Sequence, residues 1–123
     1  MSSLPAAQPA EMPLPVPTAR RLSRYLSRML DSQPWLGAAL AASIERPLGE
    51  ADLLRFLAAR EATFGGGEGA LRPALRQLRI WVLCHLIVRD LACAAPLAEV
   101  TETMTVLAEV ALHHAHEVLR AAL

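Results

Sequence analysis

This sequence predicts an all-α fold, on three observations. Ala and Leu dominate a chain of 123 residues that is 54% hydrophobic and only 4% aromatic, and both residues favour helix. The β-branched and aromatic residues from which sheets are built are scarce. Apolar positions recur at three- and four-residue spacing, most clearly from Leu71 to Leu123. The expectation is about five helices in a small bundle or array, residues 18–123, behind a Pro-rich extended N-terminal tail, residues 1–17.

The tail reading rests on Pro5, Pro9, Pro13, Pro15 and Pro17, which oppose helix and bury little. Thr18 can cap a first helix from Ala19 to about Leu30, with Leu22, Tyr25, Leu26, Met29 and Leu30 on one stripe. Ser32 reads as the next cap, and Pro34 falls in the first turn of a helix reaching about Ile44. Pro47 and Gly49 interrupt. A third helix follows from about Glu50 to Thr63, with Leu53, Phe56, Leu57 and Phe64 inward. Gly65-Gly66-Gly67 with Gly69 makes a link. It is no phosphate loop, because it has no Lys, no following Ser or Thr and no preceding strand.

The fourth helix spans about Glu68 to Ala95 and tolerates Pro73 in its first turn. It carries two apolar stripes, Leu71-Leu75-Leu78-Val82-Leu86-Cys93 and Ile80-Leu83-Ile87-Leu91-Ala94, the pattern of a helix packed on both sides. Arg72, Arg76 and Arg79 share a third face. The fifth helix, from Pro96 to the last residue, repeats Leu97, Val100, Met104, Leu107, Ala111 and Val118 as a packing seam. No Gly, Asn or Pro closes it, so the chain reads as one end of something longer.

Charge excludes some functions. Twelve basic residues, all of them Arg, balance twelve acidic ones, so no net field draws the chain to nucleic acid or an anionic membrane. Without Lys there is no catalytic amine. No signal peptide is visible, and the apolar run from Ile80 to Ala95 is too short and too charged to span a bilayer, so the chain is expected to be cytoplasmic. Cys84 and Cys93, nine residues apart on one helix, fall on opposite faces and read as two small buried apolar residues.

Two groups could carry chemistry. His113, His114, His116 and Glu117 lie together, with His113 one turn from both Glu109 and Glu117. Two or three ligands on one helix do not fill a tetrahedral site, so metal is not assigned; a polar flank with one semi-buried imidazole, His114, is expected. Arg76, Arg79, Arg89 and Asp90 are the second group. Arg89 and Asp90 interrupt an apolar helix and need partners, for which Glu99, Glu102 and Glu109 are at hand. Arg76 and Arg79 read as structural ion pairs or as contacts for a partner domain. No catalytic, cofactor-binding or metal-binding residue is assigned.

Ordered motifs then carry a resemblance. Leu75-Arg76-x-x-Arg79, Val88-Arg89-Asp90-Leu91, Leu97-Ala98-Glu99-Val100-Thr101 and Met104-Thr105-Val106-Leu107-Ala108-Glu109 come in sequence. Ser23-Arg24-Tyr25 and Ser32-Gln33-Pro34-Trp35-Leu36 precede them. The set resembles the N-terminal helical region of the bifunctional glutamine synthetase adenylyltransferase/adenylyl-removing enzymes, over about Ala19 to Leu123. His85 stands where that family leads one to expect an Arg. The resemblance implies a bacterial enzyme of nitrogen regulation that moves AMP from ATP onto a glutamine synthetase tyrosine and removes it by phosphorolysis. It implies ATP and magnesium, held by a Gly-rich turn followed by Asp-x-Asp in an adjacent nucleotidyltransferase domain. It also implies glutamine synthetase and a PII-type signal protein as partners. That signature is absent from this sequence, where Asp31, Asp52 and Asp90 are isolated, so no catalytic residue carries over. The expectation is a non-catalytic helical segment. The alternatives are a free-standing helical interaction module and a metal-dependent enzyme using the late histidines.

Overall fold

The computed structural model describes residues 14–123; of the Pro-rich tail expected over residues 1–17, residues 1–13 lie outside them, and Pro15 to Pro17 are helical rather than extended. The described residues form six helices and no strands: α1 Pro15–Leu22, α2 Arg24–Ser32, α3 Leu36–Ser43, α4 Glu50–Thr63, α5 Glu68–Ala92 and α6 Leu97–Ala122. The fold class is as the sequence predicts, with one more helix than expected.

The additional helix comes from a break at Ser23. Its backbone is extended (φ −129°, ψ 114°), and its hydroxyl accepts the Leu26 N–H at 3.1 Å. That capping bond starts α2 and ends α1, so the stretch read as one helix is two. α1 also begins earlier than expected. Pro15 takes its first position and Pro17 lies in its first turn, where an N–H has no helical partner to lose. Thr18 is therefore interior, with its hydroxyl donating to the Leu14 carbonyl at 3.2 Å rather than capping. Ser32 is the last residue of α2, not a cap. Gln33 is extended because it precedes Pro34, and α3 starts only at Leu36.

α4 has the bounds read from the sequence. Its end is a Schellman closure in which the Gly66 N–H donates to the Glu61 carbonyl at 2.8 Å and the Gly65 N–H to Ala62 at 3.2 Å. Gly65, Gly66 and Gly67 all have positive φ, the conformation that glycine adopts without strain. α5 stops at Ala92, short of the expected Ala95. Ala94 is left-handed (φ 54°), and Pro96 lies just beyond.

α5 is the central element and touches each of the other five helices. Its Ala74, Leu78, Val82 and Val88 are buried in one core with Val16, Leu26, Leu36, Leu40, Leu53, Leu57, Leu107 and Val110. The second α5 stripe is less covered than the sequence suggests. Ile80 is buried, Leu83 and Ile87 are half-buried, and Leu91 and Ala94 are exposed. α6 is rotated from its predicted phase. Thr103, Leu107 and Val110 face the core, while Leu97 is 79% exposed and Met104 39% exposed. Leu83 and Ile87 of α5 and Leu97, Val100 and Met104 of α6 instead border open space between the two helices.

Candidate functional site

One polar cluster is built into the middle of the bundle. His85 and Arg89, one turn apart on α5, both reach the carboxyl end of α3. The fully buried His85 donates from Nε2–H to the carbonyls of Ser43 (2.9 Å) and Arg46 (3.1 Å). Arg89 Nη1 donates to the Ile44 carbonyl at 3.1 Å. Together they satisfy carbonyls that the ending helix leaves without internal partners. Arg89 also forms a two-pronged ion pair with Glu99 at the start of α6, Nε to Oε2 at 2.5 Å and Nη2 to Oε1 at 2.9 Å. Burial pushes the His85 imidazole below its ordinary pKa, against the pull of its two carbonyl partners, and the Arg89 charge adds to the lowering. The hydrogen bond from Arg89 holds the Glu99 carboxyl below the usual carboxylate range.

Chemically this cluster is closed. Arg89 spends its donors on Glu99 and the Ile44 carbonyl, and His85 Nε2 is committed to backbone. Its Nδ1 is buried without a partner. The neighbouring Cys84 thiol is pushed up to about 12 by burial and supplies no thiolate. The role of the cluster is to tie α3, α5 and α6 together. The sequence offers Glu99, Glu102 and Glu109 as partners for Arg89 and Asp90, and of these only Glu99 pairs, with Arg89, while the sequence reading misses His85 as its companion. The available signal was the four-residue spacing of two polar side chains on an apolar helix.

Arg76, Arg79 and Asp90 stand elsewhere. Arg72, Arg76 and Arg79 are exposed along the first half of α5, and none has a carboxylate within ion-pair distance among the described residues. They border a cavity of about 510 Å³ with Leu75, Met104, Leu107, Ala108 and Ala111. Asp90 borders a second cavity of about 430 Å³ with Tyr25, Leu83, Ile87, Leu97 and Val100. Met104 lines both, so the two cavities adjoin along α5 and α6 as a groove, with Tyr25 of α2 bordering its second half.

The late histidines do not converge. His114 reaches across to Glu61 of α4 at 2.6 Å and is half-buried, while His113 meets only Glu117 of its own helix at 3.5 Å, in solvent. His116 is exposed. No group of three or more His, Cys, Asp or Glu residues is gathered in metal-holding geometry among the described residues. Cys84 is buried, but Cys93 is exposed, against the expectation that both are core residues. α5 ends before Cys93, which therefore leaves the helical face that would have buried it. Asp52 is occupied locally. It accepts from the Gly49 N–H (2.8 Å), from Arg46 (2.7 and 2.8 Å) and from Arg55 (2.9 Å), and the Arg46 bonds bring its carboxyl to about 2. Trp81, which the sequence reading passed over, stacks on Phe56 at 4.4 Å, and Phe56 meets Trp35 at 5.6 Å.

Fold and side chains thus define a class: an all-α packing unit whose central polar cluster ties α3, α5 and α6 together. The comparisons with known proteins agree on a family. The chain is 53% identical over 110 residues to the bifunctional glutamine synthetase adenylyltransferase/adenylyl-removing enzyme of Aromatoleum aromaticum, covering 88% of this chain and 11% of that protein. It is 40% identical over 101 residues to the enzyme of the same name from Nitrosomonas eutropha, with 82% and 11% covered. With that of Neisseria meningitidis it shares 36% identity over 98 residues, with 80% and 11% covered. The chain is therefore a relative of one segment of the bifunctional glutamine synthetase adenylyltransferase/adenylyl-removing enzymes, and it spans about a ninth of their length. No family model and no solved structure matches it.

Proposed function

We propose that the chain serves as the N-terminal, non-catalytic helical segment of a glutamine synthetase adenylyltransferase/adenylyl-removing enzyme. In this reading it buttresses an adjacent nucleotidyltransferase domain that holds ATP and magnesium, in a cytoplasmic enzyme answering to glutamine synthetase and a PII-type signal protein. The single observation that carries the reading is the 53% identity over 110 residues with a segment amounting to 11% of a much longer enzyme. The closed polar cluster supports it, since His85, Arg89 and Glu99 spend their hydrogen bonds on joining helices. No helix among the described residues is long and apolar enough to cross a membrane.

The test is a chimera in which this chain replaces the matching segment of the Aromatoleum aromaticum enzyme. The chimera is expected to keep adenylyl transfer and removal within about tenfold of the parent, a barrier change of roughly 1.4 kcal/mol. A folded chimera that has lost both activities contradicts the reading. A second reading, a free-standing helical interaction module, draws on the uncovered α5–α6 groove and predicts that loss.

A further inference from the structure

We infer that the groove between α5 and α6 is a docking site for an amphipathic helix with carboxylates at one end. The floor is apolar along its length: Leu75, Leu107, Ala108 and Ala111 in one half, Leu83, Ile87, Leu97 and Val100 in the other, with Met104 between them. Both walls are helices whose backbone groups are consumed within them. An extended peptide laid here would leave its own N–H and C=O groups without partners, whereas a helix brings them satisfied. The stretch of α5 from Arg72 to Asp90 is about 27 Å long at helical rise, enough to seat five turns.

Charge decides which helix. Arg72, Arg76 and Arg79 follow one another on a single edge of the groove at four- and three-residue spacing, exposed and without carboxylate partners among the described residues. Four arginines are paired within the chain, Arg20 with Asp31, Arg46 and Arg55 with Asp52, and Arg89 with Glu99; what sets Arg72, Arg76 and Arg79 apart is that all three border the same apolar groove. The far end of the groove carries one carboxylate, Asp90. The complementary helix therefore presents two or three Glu or Asp side chains over the start of α5 and a single Lys or Arg over its end. A second copy of this chain fits less well, because a two-fold contact would set one Asp90 against three arginines at each end. This inference stands on the groove alone and not on the family reading.

The test uses the full 123-residue chain and a synthetic helical peptide of about 18 residues. The peptide has Leu at three- and four-residue spacing on one face, three Glu flanking it at one end and one Lys at the other. A second peptide has Lys in place of the three Glu. Calorimetry is expected to show the Glu-ended peptide binding at least tenfold more tightly than its Lys-ended counterpart. The exposed double substitution Arg76→Glu/Arg79→Glu is expected to reverse that order with the helical circular dichroism unchanged. Met104→Glu, on the groove floor, is expected to weaken both peptides. Equal binding of the two peptides, no binding of either, or a dimer that Met104→Glu dissociates and the Glu-ended peptide does not compete with, would each overturn the proposal. The chimera decides the family reading separately, since it does not depend on the peptide.

Discussion

His85 shows how much a single side chain does here. Its Nε2–H serves two carbonyls at and just past the end of α3, so Leu in its place removes that donor from both and leaves the Ser43 carbonyl only the 3.5 Å bond from the Arg46 N–H. His85→Leu is expected to lose about 1–3 kcal/mol of unfolding free energy, and His85→Gln, which keeps a donor, distinctly less. Acid provides a second check. His85 is held neutral in the fold, below its ordinary 6.5, so the unfolded chain binds its proton first. Stability is therefore expected to fall as pH drops through about 6.5 toward the lowered folded value. Glu99 and Asp52 act further down, because their carboxyls are depressed by Arg89 and Arg46 and their contribution fades below the ordinary carboxylate range. Urea midpoints measured between about pH 7.5 and about pH 5.5 should slope downward in the parent and be flatter in His85→Gln. The cysteines separate just as plainly. One thiol, Cys93, is expected to react with a thiol reagent in the native protein, and Cys84 only after unfolding.

At the scale of elements, most helices were legible because their cause is local. The α4 bounds follow from Gly49 and the Gly65 run, and the start of α6 from Pro96. The break at Ser23 was not legible, since Leu22, Tyr25 and Leu26 keep a helical stripe running through it, and only the capping bond to Leu26 reveals the joint. The glycines allow a paired prediction. Gly65 has φ +91° and open space around it, so Gly65→Ala meets a backbone penalty and no clash. It should destabilise by about 1 kcal/mol, while Gly69→Ala, inside the first turn of α5 and equally open, should stabilise by about 0.5–1 kcal/mol. Ala94→Gly relieves a left-handed alanine at the end of α5 and should also stabilise by about 1 kcal/mol. Thermal unfolding of the three variants side by side checks all of these signs.

For the whole molecule, the sequence conveyed the fold class and the centrality of α5, because periodicity reports which faces are apolar. It did not report which apolar face is covered. Leu97 and Met104 sit on the seam read from the sequence, yet the structure turns Thr103 and Val110 inward instead. Periodicity cannot choose between two adjacent apolar faces; here α6 turns one of them into the contact with α4 and α5, and the other borders the groove. The same limit applied to the polar residues. Arg76, Arg79, Arg89 and Asp90 all stood out in the sequence, but only tertiary packing divides them into one closed ion pair and a free-edged groove. The central proposal is that this chain is scaffold, and that the adenylyl transfer and removal named for its relatives would be carried out outside the segment it matches. Its most direct test is to incubate the purified chain with ATP, magnesium and glutamine synthetase, and separately with adenylylated glutamine synthetase and phosphate, and to follow labelled AMP. No transfer and no release above the enzyme-free blank is expected; turnover that copurifies with the folded chain would contradict the account.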